Sequence, residues 1–311
     1  MRCPGVSDLQ DKFRGALLGA AVGDGFGAPI EGTSAASARG TLGPRTALSI
    51  PWSTTDDTQM LLDVAEWLVA DSCAPDALVE RLASSFEPAL GYGHGTGLAL
   101  RAFREGRPWG SCPFLCWPEG SKGNGSTARV APVALRFYGS PNLLRQYAAM
   151  SSWVTHAHRD AIAAATLHAE ALALLLAADV DAFDARRFVD DLGISAPDDV
   201  AWISRTLEQL RVAAPSPTPL PGSSMALAEV SLPIALAAMV SATNSFESAI
   251  LGAAAVGGDV DTNCAITGAL AGALSGATGI PQLWIRNLRA GGAPVDALVA
   301  AADRLYEMHG G

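Results

Sequence analysis

In the stretch Phe13-Arg-Gly-Ala-Leu-Leu-Gly-Ala-Ala-Val-Gly-Asp24, the glycines at 15, 19 and 23 recur every four residues. That spacing is close to one helical turn, so the three line one face of a helix, on which a second backbone can approach closely. Gly268, Gly272 and Gly276 repeat the pattern late in the chain. Both stripes predict tight helix contacts in a core.

The rest of the chain agrees. Of 311 residues, 49% are hydrophobic and 17% charged, the mean hydropathy is +0.23, and alanine is the commonest residue. Such a chain has ample apolar material for a large core, which excludes disorder, and its small helix-forming side chains argue against a sheet-dominated fold. Strand-like alternation is nearly absent, whereas helical periodicity predicts about fourteen helices. The clearest span 9–22, 57–70, 75–86, 96–105, 129–138, 142–153, 160–178, 198–212, 225–240, 245–256, 262–276 and 294–308. The expected class is all-α.

A net charge of −10 without a basic run makes a nucleic-acid partner unexpected. The five cysteines, Cys3, Cys73, Cys112, Cys116 and Cys264, are odd in number and scattered, as befits free thiols in a reducing compartment. Cys112 and Cys116 lack a second Cys/His pair nearby and make a poor zinc site. The apolar stretch 15–23 is bounded by Asp11 and Asp24, and the uncharged stretch 262–285 carries Asn263, Pro281 and Gln282, so neither matches a signal peptide or a membrane span. A cytoplasmic monomer with no membrane partner is expected. Four prolines forbid a helix within 215–224, an extended surface loop that does not divide the chain.

Two acidic clusters precede helices. Ser53-Thr-Thr-Asp-Asp-Thr58 offers more hard oxygens than a helix cap needs, and Gly257-Gly-Asp-Val-Asp-Thr-Asn263 pairs two aspartates with glycines that let the backbone turn. The second is not an EF-hand loop, whose sixth and twelfth positions would fall on Cys264 and Leu270, nor an aspartate-phosphatase motif, since Asn263 stands in the wrong place. Together the clusters can hold two divalent ions side by side, Mg²⁺ or Mn²⁺, about 3.5–4 Å apart. The roughly 200 residues between them must then fold back, so residues 1–311 read as one domain.

Two glycine-rich stretches, 91–97 and 120–126, could present backbone N–H groups to a diphosphate. Thr155-His-Ala-His158 lacks the β/α alternation of barrel hydrolases that use a His-x-His pair, and Thr155 reads as a helix cap with His156 near a ligand. His168 reads as a core histidine.

The order of these motifs resembles the ADP-ribosylglycohydrolase family over nearly the whole chain. Residues 13–24 with Gly27-Ala-Pro-Ile-Glu31 are similar to its opening helix and Glu-bearing loop. Thr55-Asp-Asp-Thr58 and Gly258-Asp-Val-Asp-Thr-Asn263 are similar to its paired metal motifs. Asn124-Gly-Ser-Thr-Ala-Arg-Val-Ala-Pro132 is similar to its Asn-Gly-x-x-Met-Arg-x-x-Pro segment, with Ala128 where Met is usual. The resemblance implies a compact, orthogonal multi-helix globule with a binuclear metal cleft that hydrolyses the bond between ADP-ribose and an acceptor, on a protein or a small conjugate. It implies Thr55, Asp56, Asp57, Asp259, Asp261 and Thr262 as metal ligands, Glu31 and Asp261 as catalytic carboxylates, and Gly123, Asn124, Gly125, Ser126 and His156 as substrate-binding residues. ADP-ribosyl-arginine is the first acceptor to test, with serine or other O-linked adducts next. A silent ADP-ribose binder and a metal-dependent phosphohydrolase are the competing readings.

Overall fold

The computed structural model describes residues 6–47, 49–70, 73–197, 199–212, 226–242 and 245–310. Among these residues there are sixteen α-helices and no strand; extended pairing is confined to two single bridges, Thr33 with Gly258 and Gly123 with Leu227. In chain order the first eight helices are α1 (Val6–Gly27), α2 (Ala35–Ala47), α3 (Asp56–Val69), α4 (Pro75–Ser85), α5 (His94–Arg104), α6 (Gly125–Ala128), α7 (Ala131–Arg136) and α8 (Pro141–Trp153). The second eight are α9 (Arg159–Ala177), α10 (Ala185–Ser195), α11 (Ala201–Leu210), α12 (Ala228–Ser241), α13 (Phe246–Ala254), α14 (Val260–Ser275), α15 (Gln282–Ala290) and α16 (Val295–Gly310).

Each glycine stripe makes the tight helix contact expected of it, and the structure adds that the two stripes face each other. α1 and α14 run antiparallel through the core, with Gly15 on Gly272, Gly19 on Gly268 and Gly23 on Cys264, so closely that a Cβ at any of the three would overlap a backbone carbonyl. Every residue of α14 from Val260 to Leu274 is buried. The helix stops at Gly276, whose φ of +73° lies in the left-handed region that a Cβ disfavours.

Around this pair, α9 is long and apolar enough by length and composition to cross a membrane, yet its apolar residues pack against α8, α10, α12 and α14 in the core. A second anchor is aromatic. Phe26 stacks on Trp284 at 5.0 Å, and Trp52 stands edge-on to both at 5.5 and 5.6 Å. The Trp52 N–H donates to the Asn287 carbonyl at 2.9 Å, fixing the chain just before α3.

The structure differs from the sequence reading in several places. The predicted helix 129–138 is shorter, α7 from Ala131 to Arg136, with Pro132 in its first turn where a missing N–H costs nothing, and the separate four-residue α6 precedes it. α5 begins at His94, so Gly95, Thr96 and Gly97 lie inside its first turn instead of in a loop. Thr155 caps no helix: His158 caps α9 by accepting from the Asp160 N–H at 3.1 Å, while the Thr155 hydroxyl is taken by Arg129. His168 is buried as expected, but only its Nδ1 is bonded, to the Thr127 carbonyl at 2.8 Å. The proline-rich stretch 215–224, Met225 and Cys3 lie outside the described residues.

Candidate active site

Asp24, the acidic residue ending the glycine stripe, is the keystone of the first acidic cluster. Fully buried, its carboxylate accepts from the Thr55 N–H at 3.0 Å, the Thr55 hydroxyl at 2.9 Å, the Thr58 N–H at 3.2 Å and the Thr58 hydroxyl. These bonds satisfy free donors in the first turn of α3 and set the direction of Asp56 and Asp57. The Thr55 hydroxyl also accepts from the Asp57 N–H at 3.3 Å, so one lone pair is left for a cation. Nothing local in the sequence assigns Asp24 a role, because a carboxylate 31 residues from Thr55 carries no signal of this pairing.

The second cluster is aimed by glycines. Gly257 and Gly258 have φ of +75° and +76°, and a Cβ on Gly257 would also stand 2.6 Å from the Thr33 carbonyl oxygen. The Gly32 N–H donates to the Gly258 carbonyl at 2.7 Å and the Gly258 N–H to the Thr33 carbonyl at 2.8 Å. This bridge carries Glu31 to the aspartates: carboxylate oxygens of Glu31, Asp259 and Asp261 lie within 4.8 Å of one another. Asn124 steadies the loop from the other side, donating to Asp259 Oδ2 at 2.7 Å and to the Ser231 hydroxyl at 2.8 Å.

Such crowding is unfavourable unless a proton or a cation offsets it. Asp57 Oδ2 and Asp261 Oδ1 are buried with no hydrogen-bond partner. Burial, then repulsion from neighbouring carboxylates, lifts Asp56 to about 7 and Asp261 to about 9, and pushes Asp57 well above the usual carboxylate range. Burial first, then Asp259 and Asp24, also raises Glu31. Carboxylate and hydroxyl oxygens without sulfur or imidazole are the donor set of a hard divalent ion, and the orphaned oxygens fit one.

A cleft of about 1020 Å³ opens above these carboxylates. Glu31, Asp56, Asp57, Asp259, Asp261 and Thr262 line it at one side, Gly123, Asn124, Gly125 and His156 at another. A Cβ on Gly123 would stand 3.0 Å from His156 Nε2, so the glycine lets the loop lie on the imidazole. Burial, then the Arg129 guanidinium, holds His156 down to about 3 and hence neutral. Ser126 is fully buried behind the cleft, where its hydroxyl accepts from Ser152 at 2.8 Å. The 91–97 stretch stands on the acidic side, with a Gly91 Cβ position 3.7 Å from Asp56 Oδ1. A diphosphate there would meet a carboxylate. Trp117, outside every sequence motif, covers Gly95 at the rim and is 44% exposed.

Residues 6–311 match the family described as ADP-ribosylglycohydrolase. The ADP-ribosyl-[dinitrogen reductase] glycohydrolase of Rhodospirillum rubrum is 29% identical, covering 94% of this chain and 97% of that protein. The ADP-ribosylhydrolase ARH3 of Bos taurus is 26% identical over 97% of this chain and 95% of its own. A solved structure titled ADP-ribosylglycohydrolase-related protein complex superposes with a TM-score of 0.77 at 27% identity, covering 97% of this chain and 99% of that one.

Proposed function

The chain belongs to the ADP-ribosylglycohydrolase family and is a glycohydrolase of ADP-ribosyl–acceptor linkages, and on that premise we propose that it uses two divalent cations, Mg²⁺ or Mn²⁺, to release ADP-ribose from arginine-linked conjugates, with residues 1–311 acting as one unit. The observation that carries the proposal is the meeting, in one cleft, of Asp56 and Asp57 with Asp259, Asp261, Thr262 and Glu31.

In this reading Thr55, Asp56 and Asp57 hold the cations from one side and Asp259, Asp261 and Thr262 from the other. When bound, the ions orient the ribose hydroxyls and make a water more acidic. Breaking the glycosidic bond builds positive charge on the ribose, which the surrounding carboxylates stabilise. Glu31, at the cleft edge beside Asp259 and Asp261, takes the water's proton and passes one to the leaving group. Asp261 positions that exchange. Gly123, Gly125 and the loop they shape receive the diphosphate, with neutral His156 beside the nucleotide and Asn124 and Ser126 supporting the loop. The acidic end of the cleft has no Lys or Arg among its described lining residues, which suits a cationic guanidinium as leaving group.

Chromatographic product analysis tests the proposal, using arginine-, serine- and O-acetyl-linked ADP-ribose conjugates with Mg²⁺, Mn²⁺ or EDTA. Free ADP-ribose from the arginine conjugate, abolished by EDTA and by Asp261→Ala, is the expected result. Undiminished release in Asp261→Ala together with insensitivity to EDTA overturns the metal assignment. Preferential release from the serine or acetyl conjugate overturns the acceptor. Phosphate as product, or tight ADP-ribose binding without cleavage, overturns the activity.

A further inference from the structure

A diphosphate carries two negative charges, and the cleft wall that receives it must answer them in a pocket already crowded with carboxylates. The proposed cations are engaged by the carboxylates, and three sources of positive charge on the protein itself fail. α6, which opens on the 120–126 loop, has only four residues, too few to build a useful dipole. His156 is neutral, held down to about 3. Arg129 is fully buried beneath it, its guanidinium donating to the Ser151 carbonyl at 2.6 Å and the Thr155 hydroxyl at 2.7 Å.

Lys122 remains. Among the described residues it is the one Lys or Arg that lines the cleft, and it sits in the middle of the glycine-rich loop. Its backbone is fixed: the Ala228 N–H donates to the Lys122 carbonyl at 3.0 Å, Gly123 bridges to Leu227, and the Gly123 N–H donates to the Ser121 hydroxyl at 3.1 Å. Its side chain is 43% exposed, and its ammonium rests on Asp160 at 2.9 Å. A half-exposed ion pair of this kind is worth little, so its exchange for a stronger anion is cheap.

Resting on the function proposed above, we infer that Lys122 is a substrate-binding residue whose ammonium leaves Asp160 for the diphosphate, making this one side chain the chief determinant of phosphate affinity. Asp160 holds the side chain over the loop when no anion is present, which limits the ordering needed on binding.

Calorimetric titration of ADP-ribose into the full chain with Mg²⁺ tests this, with adenosine as a ligand lacking phosphate. Hydrogen bonds to charged groups contribute enough that Lys122→Met should weaken ADP-ribose by roughly tenfold to a hundredfold. Adenosine affinity should not move, Lys122→Arg should restore most of the loss, and the salt dependence of ADP-ribose binding should flatten in Lys122→Met. Equal ADP-ribose affinity in the parent and Lys122→Met overturns the role of Lys122 alone. A parent chain that binds no ADP-ribose overturns the proposed function and this inference with it.

Discussion

Gly27 and Asp261 meet backbone to backbone: a Cβ on Gly27 would lie 2.6 Å from both the Cα and the N of Asp261. The last residue of α1 therefore sets the position of a proposed metal ligand. Gly27→Ala should displace the start of α14 and lower kcat/KM by roughly a hundredfold, since a misplacement of about 1 Å at a reacting centre has that effect. Gly19→Ala, which overlaps the Gly268 carbonyl in the middle of the same helix pair, should instead lower stability by about 1–3 kcal/mol or more. Urea melts and initial rates on both variants separate the two; equal thermodynamic loss with equal activity would contradict this division.

Asp24→Asn exchanges an all-acceptor carboxylate for an amide whose NH₂ must face donors from Thr55 or Thr58. Leaving such buried donors unmatched costs about 1–3 kcal/mol each, so the first turn of α3 should loosen. The expected outcome is a lower Tm and weaker Mn²⁺ binding, although Asp24 is not one of the proposed ligands. Wild-type Mn²⁺ affinity in a folded Asp24→Asn chain would remove Asp24 from the site.

Asp63 gives the chain a pH-dependent weakness outside the site. It is buried on α3, accepts from the Ser85 hydroxyl and from the Gln59 amide at 3.4 Å, and burial nonetheless lifts it from 3.8 to about 6. The folded state thus keeps a proton that the unfolded state has lost. Its contribution is full below pH 3.8 and declines as the pH rises to about 6, by up to about 3 kcal/mol for two pKa units. Urea midpoints of the parent should fall relative to Asp63→Asn between pH 4 and 6 and run parallel above that. Parallel curves throughout would show that Asp63 titrates normally.

Mn²⁺ titrations followed by electron paramagnetic resonance should show two ions bound per chain. Saturation at a hundred times Kd should stabilise the fold by about 2.7 kcal/mol relative to EDTA. Asp57→Asn and Asp261→Asn each alter a carboxylate with an orphaned buried oxygen and should remove both the stoichiometry and the gain in Tm. A binding curve unchanged in both variants would place the ions elsewhere.

The glycine faces of α1 and α14 and the acidic clusters are legible because each is written locally, in a four-residue glycine spacing or in adjacent aspartates before a helix. What was not legible depends on distant partners. Asp24 serves Thr55 and Thr58, Trp52 is pinned by Asn287, and Thr155, which looks like a cap in the sequence, gives its hydroxyl to Arg129 as an acceptor. α10 had a readable start, since Asp184 accepts from the Arg186 and Arg187 N–H groups at 2.9 and 3.1 Å. α2 offered little: its sequence mixes small and polar residues without an apolar stripe.

The pairing of α1 with α14 also governs when the protein can exist during its own synthesis. Gly19 must wait for Gly268, about 250 residues further along the chain. At translation speeds of about 5–20 residues per second, that is roughly 10–50 s in which the glycine face of α1 lacks α14. A nascent chain that has not reached Asp261 lacks part of the proposed metal site, and the helix that delivers this residue is the one that packs on α1 in the core. The α1–α14 pairing is therefore a late event in synthesis, and the glycine face within residues 13–27 stays uncovered by α14 until it happens.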